Sequence, residues 1–147
     1  MYMIRPWLYV GKFSETQEAW LLRSCQIGAM LELDEAVEQP GVVSLFLPVD
    51  DGEPLGPEML KQGLQFVQTQ KSWGRNVLIA CGAGVSRAAT FAIAALKEEE
   101  KLSLLDAVRE VHARHPEALP HPELWKSLCN YYGEDLTLMQ MLDILRP

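Results

Sequence analysis

The chain of 147 residues is short of positive charge, with 13 lysine and arginine residues against 20 aspartate and glutamate residues. Its formal net charge of −7 disfavours binding to nucleic acid or to acidic lipid, because both are themselves negatively charged. No apolar run approaches the roughly 20 residues that cross a bilayer, and the first residues do not resemble a secretory signal. We therefore expect a cytoplasmic protein with neither a nucleic-acid nor a membrane partner.

Cysteine and histidine are also scarce, with three of each. The cysteines are Cys25, Cys81 and Cys129, and the histidines are His112, His115 and His121. The wide cysteine spacing matches neither a disulfide framework nor a zinc motif, and it favours a reducing compartment. The histidines lie close together in the sequence, but no cysteine or carboxylate completes a ligand set with them. The sequence therefore predicts a protein without a metal or another cofactor.

The chain is long enough for one domain with its own core, and 48% of its residues are hydrophobic. We therefore treat residues 1–147 as a single domain. Apolar runs predict strands over residues 7–12, 27–33, 41–49 and 77–81. Capping signals and helical periodicity predict helices over about 14–25, 57–73, 88–101, 103–115, 122–132 and 136–145. This order predicts an α/β fold, a mostly parallel central sheet with helices on both faces.

Two of these segments have a composition that places them in the sheet. The run from Gly41 to Val49 is nearly all apolar, which predicts a strand buried on both faces. The run Val77–Cys81 is followed by a short glycine-bearing turn and then by an alanine-rich helix. The turn therefore lies at the carboxyl end of a strand, which is where open α/β sheets bind their ligands.

The turn has the features of an anion-binding loop. The first turn of a helix leaves backbone N–H groups unpaired, and its dipole favours an anion. Gly82 and Gly84 let the loop curl so that its N–H groups point inward, and Arg87 can grip two phosphate oxygens. The same groups would stabilise a thiolate at Cys81, which suits attack on phosphorus. The predicted phosphate-binding residues are Gly82, Ala83, Gly84, Val85, Ser86 and Arg87.

The spacing of Cys81, five residues and Arg87 resembles the signature of the cysteine-dependent protein tyrosine phosphatases. Gly84 and Ser86 are similar to the dual-specificity branch, whose loop usually reads H-C-x-x-G-x-S-R-S. Weaker similarities run in the same order along nearly the whole chain, from residues 4–11 through 47–51 to 120–128. An ordinary buried cysteine in a strand–loop–helix crossover remains the alternative reading of this loop.

The resemblance implies a phosphatase that works through a phosphocysteine intermediate, with Cys81 as nucleophile and Arg87 holding the phosphoryl oxygens. The family's general acid is an aspartate in an I-P-x-x-D segment, and Asp51 matches it 30 residues before Cys81. Asp50 competes with Asp51 for that role. Family members that act on phosphoinositides or RNA ends tend to carry basic residues in the loop. The neutral loop here favours phosphotyrosine, and phosphoserine or phosphothreonine, in a phosphoprotein or phosphopeptide.

Two departures from the family pattern leave a second interpretation open. Ala80 stands where the family usually has histidine, and Ala88 stands where it usually has serine or threonine. The histidine orders the loop, and the hydroxyl helps the sulfur to leave when phosphocysteine breaks down. A weak or inactive phosphate-binding pseudophosphatase is therefore the alternative. A rhodanese-like sulfurtransferase, which also uses a cysteine loop, is disfavoured by Asp51, by the Ser86–Arg87 pair and by the long helical tail.

Overall fold

The computed structural model describes all 147 residues, which form five strands and seven helices. In chain order these are β1 (Tyr2–Arg5), β2 (Leu8–Lys12), α1 (Phe13–Thr16), α2 (Ala19–Ser24), β3 (Ile27–Glu32), β4 (Val43–Phe46), α3 (Pro57–Ser72), β5 (Asn76–Cys81), α4 (Arg87–Glu100), α5 (Leu104–Arg114), α6 (Pro122–Tyr132) and α7 (Leu138–Leu145). One sheet has the order β1-β2-β5-β3-β4, in which only the β1–β2 pair is antiparallel. The predicted α/β class with a mostly parallel sheet is confirmed.

Strand β5 is central because both of its faces are covered. Val77, Ile79 and Cys81 belong to the large core cluster, which also contains buried residues of α3 to α7. Leu78 and Ala80 point the other way, into a small cluster with residues of α2 and β3. Alternate side chains of one strand therefore enter two different cores. The thiol of Cys81 lies on the side of the larger core.

Helix α4 follows β5 after five residues, 82–86, and it is covered along most of its length. Residues 88–96 are all buried, which agrees with their alanine-rich composition because small side chains let neighbouring elements approach closely. Helix α4 contacts α3, α5, α6, β2 and β5. Its first residue is therefore held rigidly at the carboxyl end of the central strand.

The helix predicted from residue 14 to about residue 25 is instead two short helices, α1 and α2. The cap forms earlier than predicted, since the Glu15 carboxylate accepts a hydrogen bond from the Lys12 backbone N–H at 2.9 Å. Glu18 then leaves the helical region, with a ψ of 86°. This break turns the chain so that Leu22 is buried in the small cluster.

The strand predicted over residues 41–49 is shorter, and the expectation that it is buried on both faces is wrong. β4 covers Val43–Phe46 and pairs with β3 alone, so it lies at the edge of the sheet. Val43 is 39% exposed and Phe46 is 43% exposed. An apolar run indicates a strand, but its place in the sheet depends on the packing of other strands and helices.

Candidate active site

The loop between β5 and α4 is closed by a glycine with a left-handed backbone. Gly84 has a φ of +71°, and a Cβ at this position would lie 2.9 Å from the carbonyl carbon and oxygen of Gly11. A larger residue would therefore meet strand β2 and would also strain the backbone. Gly84 allows the loop to press against the end of β2 while it turns from Cys81 to Arg87.

The carbonyl groups of the loop point outward, into the surrounding protein. Four of them are bound there: Gly82 O by Phe13 N at 3.3 Å, Gly84 O by His115 Nε2 at 2.7 Å, Val85 O by Leu119 N at 3.0 Å, and Ser86 O by Thr90 N at 3.0 Å. No backbone N–H of residues 82–86 donates to a protein acceptor. Because a trans peptide holds its N–H opposite its C=O, outward carbonyls turn the following N–H groups inward. The loop is thus a concave array of donors, suited to an oxyanion.

The Arg87 guanidinium is bound to the protein through only one of its nitrogens, Nη1. Its Nη1 donates to Asp34 Oδ1 at 3.1 Å and to the Val49 carbonyl at 3.0 Å. Its Nη2 lies against the loop, 3.0 Å from where a Cβ on Gly82 would sit. Neither Nε nor Nη2 has a protein acceptor, so one planar edge with two parallel donors is left for a ligand. That edge matches two oxygens of a phosphoryl group.

Cys81 lies at the start of the loop and is only 2% exposed. Its Sγ accepts one hydrogen bond, from the Ala88 backbone N–H at 3.4 Å, which is at the beginning of α4. An N–H group and a helix N-terminus both stabilise negative charge on sulfur. Ala88 offers no hydroxyl group, so the backbone supplies the one donor to the sulfur. Ala80 is buried in the small apolar cluster.

The structure brings one of the two candidate aspartates to the loop. Asp51 Oδ1 accepts a hydrogen bond from the Ser86 hydroxyl at 2.7 Å. The same hydroxyl accepts one from the His121 backbone N–H at 2.8 Å, so its direction is set from both sides. The exposed Asp50 makes no side-chain hydrogen bond. The geometry therefore favours Asp51 over Asp50 as the carboxyl group next to a bound phosphate.

Sequence reasoning missed two side chains at this site. Asp34 lies outside every predicted strand and helix and was given no role, yet it is the ion-pair partner of Arg87. His115 was considered only as one of three histidines that lack a metal-ligand set, yet it is 1% exposed and bonds the Gly84 carbonyl. The Phe13 and Leu119 contacts use backbone N–H groups, which carry no side-chain signal in a sequence. All these contacts join residues that are distant in the sequence, so they form only when the chain is folded.

A buried carboxylate lies beside the base of the loop. Glu32, at the end of β3, pairs in register with Ala80 and is buried. Burial raises the pKa of the Glu32 carboxyl, and the Val37 backbone N–H, which donates to it at 2.7 Å, opposes that rise. Folded Glu32 therefore keeps its proton to a higher pH than it does in the unfolded chain.

We expect Glu32→Gln to change how the free energy of unfolding depends on pH. The stabilisation from the protonated carboxyl is fully present below about pH 4.3, the usual glutamate value, and is lost as pH rises through the raised pKa. The variant has no such titration, so its stability relative to wild type should increase towards neutral pH. Urea denaturation between pH 4 and pH 8 measures this. Glu35→Gln, at an exposed neighbour, is the control, and parallel curves for wild type and Glu32→Gln would contradict the expectation.

The fold and the loop define a class of protein, the cysteine-dependent phosphatases. Within that class the chain belongs to the dual specificity phosphatases, since residues 8–134 match the family described as "Dual specificity phosphatase, catalytic domain". The resemblance noted from the loop sequence is thereby confirmed.

Individual relatives agree with this membership. The chain is 30% identical over 134 residues to human dual specificity protein phosphatase 16, and 32% identical over 122 residues to mouse dual specificity protein phosphatase 12. These alignments cover 87% and 78% of this chain but only 20% and 36% of the two relatives, so the chain spans a minor part of their length. The crystal structure of human DUSP28 superposes with a TM-score of 0.83 at 25% identity, covering 90% of this chain and 96% of that one.

The structure offers no cluster of three histidine, cysteine, aspartate or glutamate side chains that could hold a metal ion. None of the helices combines the length and the apolar character needed to cross a bilayer. The remaining cysteines lie apart from the loop. Cys129 on α6 is buried, and burial raises its pKa to about 11, so this thiol stays protonated at neutral pH.

Proposed function

We propose that this chain hydrolyses phosphotyrosine, and phosphoserine or phosphothreonine, in proteins or peptides through a phosphocysteine intermediate. The observation that carries the proposal is the orientation of the 82–86 loop, whose carbonyls are bound outward while its N–H groups have no protein acceptor. Fixed N–H groups around a thiol favour a dianionic phosphoryl group directly above the sulfur. Membership of a protein phosphatase family supports the same reading.

In the first step the Cys81 thiolate attacks phosphorus, and the S–P bond forms as the bond to the leaving oxygen breaks. The loop N–H groups and the free Nε–Nη2 edge of Arg87 hold the three non-bridging oxygens, whose charge is spread out in the transition state. Asp51, in its protonated form, gives its proton to the leaving oxygen. In the second step Asp51 takes a proton from water, the water oxygen attacks phosphorus, and the S–P bond breaks. Inorganic phosphate and the Cys81 thiolate result.

The proposed substrate class follows from the size and charge of the loop side chains and from the net charge of the chain. The five residues between Cys81 and Arg87 are small or neutral, and the whole chain carries a net charge of −7. A site of this kind accommodates one phosphate through backbone donors, but it offers no extra cations to a polyphosphorylated lipid or to RNA. A phosphoprotein or phosphopeptide in the cytoplasm, rather than nucleic acid or a membrane surface, is the proposed partner.

A phosphate-binding protein with little or no catalysis is the second candidate. The supporting observation is the sulfur environment, in which only the Ala88 backbone N–H donates to Cys81 Sγ. A side-chain hydroxyl at residue 88 would add a second donor and help the thiolate to leave phosphorus. Without it, phosphocysteine would form and break down slowly, and the protein would bind phosphorylated residues for longer.

One assay separates the two candidates. Purified protein is incubated with p-nitrophenyl phosphate and with phosphotyrosine and phosphoserine peptides, with and without vanadate. An enzyme releases phosphate and is inhibited by vanadate, whereas a binding protein retains the phosphopeptide and releases none. Absence of both phosphate release and phosphopeptide binding would overturn both candidates.

The role of Asp51 is tested by its leaving-group dependence. Asp51→Asn should lower kcat by about 10²- to 10⁴-fold on a phosphoserine peptide, because an alkoxide needs a proton as it leaves. The loss should be much smaller on p-nitrophenyl phosphate, whose leaving group is already a weak base. Asp50→Asn is the matched control and should leave both rates close to wild type. The reverse ranking of the two variants would assign the general acid to Asp50.

A further inference from the structure

His115 has an unusual environment for a residue at the end of a surface helix. It follows α5 directly, it is 1% exposed, and its ring stacks on the Tyr2 ring with centroids 3.8 Å apart and an interplanar angle of 15°. Its Nε2 lies 2.7 Å from the Gly84 carbonyl oxygen. A carbonyl oxygen only accepts, so Nε2 must carry the hydrogen. The other ring nitrogen, Nδ1, is buried without a partner, which indicates that the ring is oriented by its Nε2 contact and by stacking.

Two carbonyls of the loop accept hydrogen bonds from side chains, Gly84 O from His115 and Ser86 O from the Thr90 hydroxyl at 2.9 Å. Ser86 O is also bound by the Thr90 backbone N–H, whereas Gly84 O has no backbone donor and depends on His115 alone. Gly84 is also the loop residue with positive φ, and because it has no Cβ, no side chain of its own opposes a rotation of its backbone. The peptide that carries its C=O also carries the Val85 N–H. A rotation that freed the carbonyl would turn this N–H away from the concave side of the loop.

We propose that His115 is a positioning residue of the phosphate-binding loop. Its Nε2–H holds the Gly84 carbonyl outward, and the Val85 N–H on the same peptide unit is thereby aimed at a phosphoryl oxygen. The inference rests on the proposed function, since it concerns the same site, but it assigns a role to a side chain outside the Cys81–Arg87 segment. Tyr2 supports the ring by stacking and touches no loop carbonyl.

A positioning role for His115 predicts a change in kinetics that a loss of protein stability alone would not produce. Loop N–H groups bind the non-bridging phosphoryl oxygens more strongly in the transition state than in the ground state. Turning one N–H group away from its oxygen therefore lowers kcat more than it raises KM. A small displacement of one catalytic donor costs on the order of 100-fold in rate. Vanadate, which adopts the five-coordinate geometry of phosphoryl transfer, should lose affinity in parallel with kcat/KM.

Three substitutions separate hydrogen bonding from filling of space. His115→Gln places an amide N–H at about the same distance along the side chain as Nε2, and it should retain activity to within a few-fold. His115→Asn places its amide N–H too close to the backbone to reach Gly84, and His115→Leu has no donor. Both should lower kcat/KM for p-nitrophenyl phosphate by on the order of 100-fold, mainly through kcat. His112→Asn and His112→Leu are matched controls three residues earlier, on α5, because His112 also has a partnerless buried Nδ1 but makes no hydrogen bond with the loop.

Vanadate binding by calorimetry accompanies the kinetics, and circular dichroism establishes that each variant is folded. If His115→Leu does not fold, the comparison of His115→Gln with His115→Asn decides. Equal kcat/KM and equal vanadate affinity in all three His115 variants would overturn the positioning role while leaving the phosphatase proposal intact. A wild-type protein that binds vanadate without hydrolysis would refute the phosphatase, and the vanadate affinities would still test His115. A wild-type protein that binds no vanadate would overturn both.

Discussion

Cys81→Ser is expected to abolish phosphate release while phosphate binding survives. A serine hydroxyl is a far weaker acid than a thiol, so it supplies almost no anionic nucleophile at neutral pH. Removing a nucleophile from an enzyme with a covalent intermediate costs on the order of 10⁴-fold or more in kcat. The loop N–H groups and the Arg87 edge do not depend on the sulfur, since their orientation comes from contacts with other elements. The variant should therefore retain phosphopeptides without dephosphorylating them.

The measurement pairs phosphate release with capture of a phosphotyrosine peptide. Cys25→Ser is the matched control, because it makes the same chemical change at a half-buried cysteine outside the loop. It should leave both hydrolysis and capture close to wild type. Full hydrolysis by Cys81→Ser would refute the phosphocysteine pathway, and loss of capture in a folded Cys81→Ser protein would show that the loop needs the sulfur for binding.

Arg87→Lys is expected to lower kcat/KM by on the order of 10³-fold, although the positive charge is kept. Arginine uses its Nη1 on Asp34 and Val49, and it still presents Nε and Nη2 to a ligand as a fixed pair. A lysine ammonium is a single point of charge, and it cannot bind Asp34 and two phosphoryl oxygens with the same geometry. Because the two donors bind the phosphoryl oxygens more strongly in the transition state than in the ground state, kcat should fall more than KM rises.

Steady-state kinetics on p-nitrophenyl phosphate and vanadate inhibition measure this loss. Arg109→Lys is the matched control, since Arg109 pairs with Asp106 on an exposed helix face and should tolerate the exchange. If Arg87→Lys lowers kcat/KM by tenfold or less, the site requires the positive charge and not the paired Nε and Nη2 donors.

The local parts of the site are readable from sequence because they are contiguous. The run Val77–Cys81 predicts a strand, the residues after Arg87 predict a buried helix, and the glycines between them predict the turn. Each of these depends on the propensities of neighbouring residues and on the helix start. The one-residue ambiguity between Asp50 and Asp51 is different, because what distinguishes them is the contact of Asp51 with the Ser86 hydroxyl, 35 residues away in the chain.

The sequence predicted the class of the sheet, mostly parallel within an α/β fold, but not the order of its strands. Continuous apolar runs identified β3 and β5 correctly, whereas the same kind of run around β4 belongs to an exposed edge. Strand β1 was not predicted, since four residues with one buried side chain carry little periodicity. The small cluster on the α2 face was not predicted either, because Leu22 enters it after a break near Glu18 that the helical pattern does not show.

The amino-acid sequence by itself determined the class of fold, the family and the position of the Cys81–Arg87 loop, because these follow from neighbouring residues and their spacing. Only the tertiary structure decided which partners orient that loop. Asp34 lies 53 residues from Arg87, and His115 lies 31 residues from Gly84. Hydrogen bonds over such separations form where segments distant in the sequence pack together, and their geometry is a property of that packing and not of any local pattern.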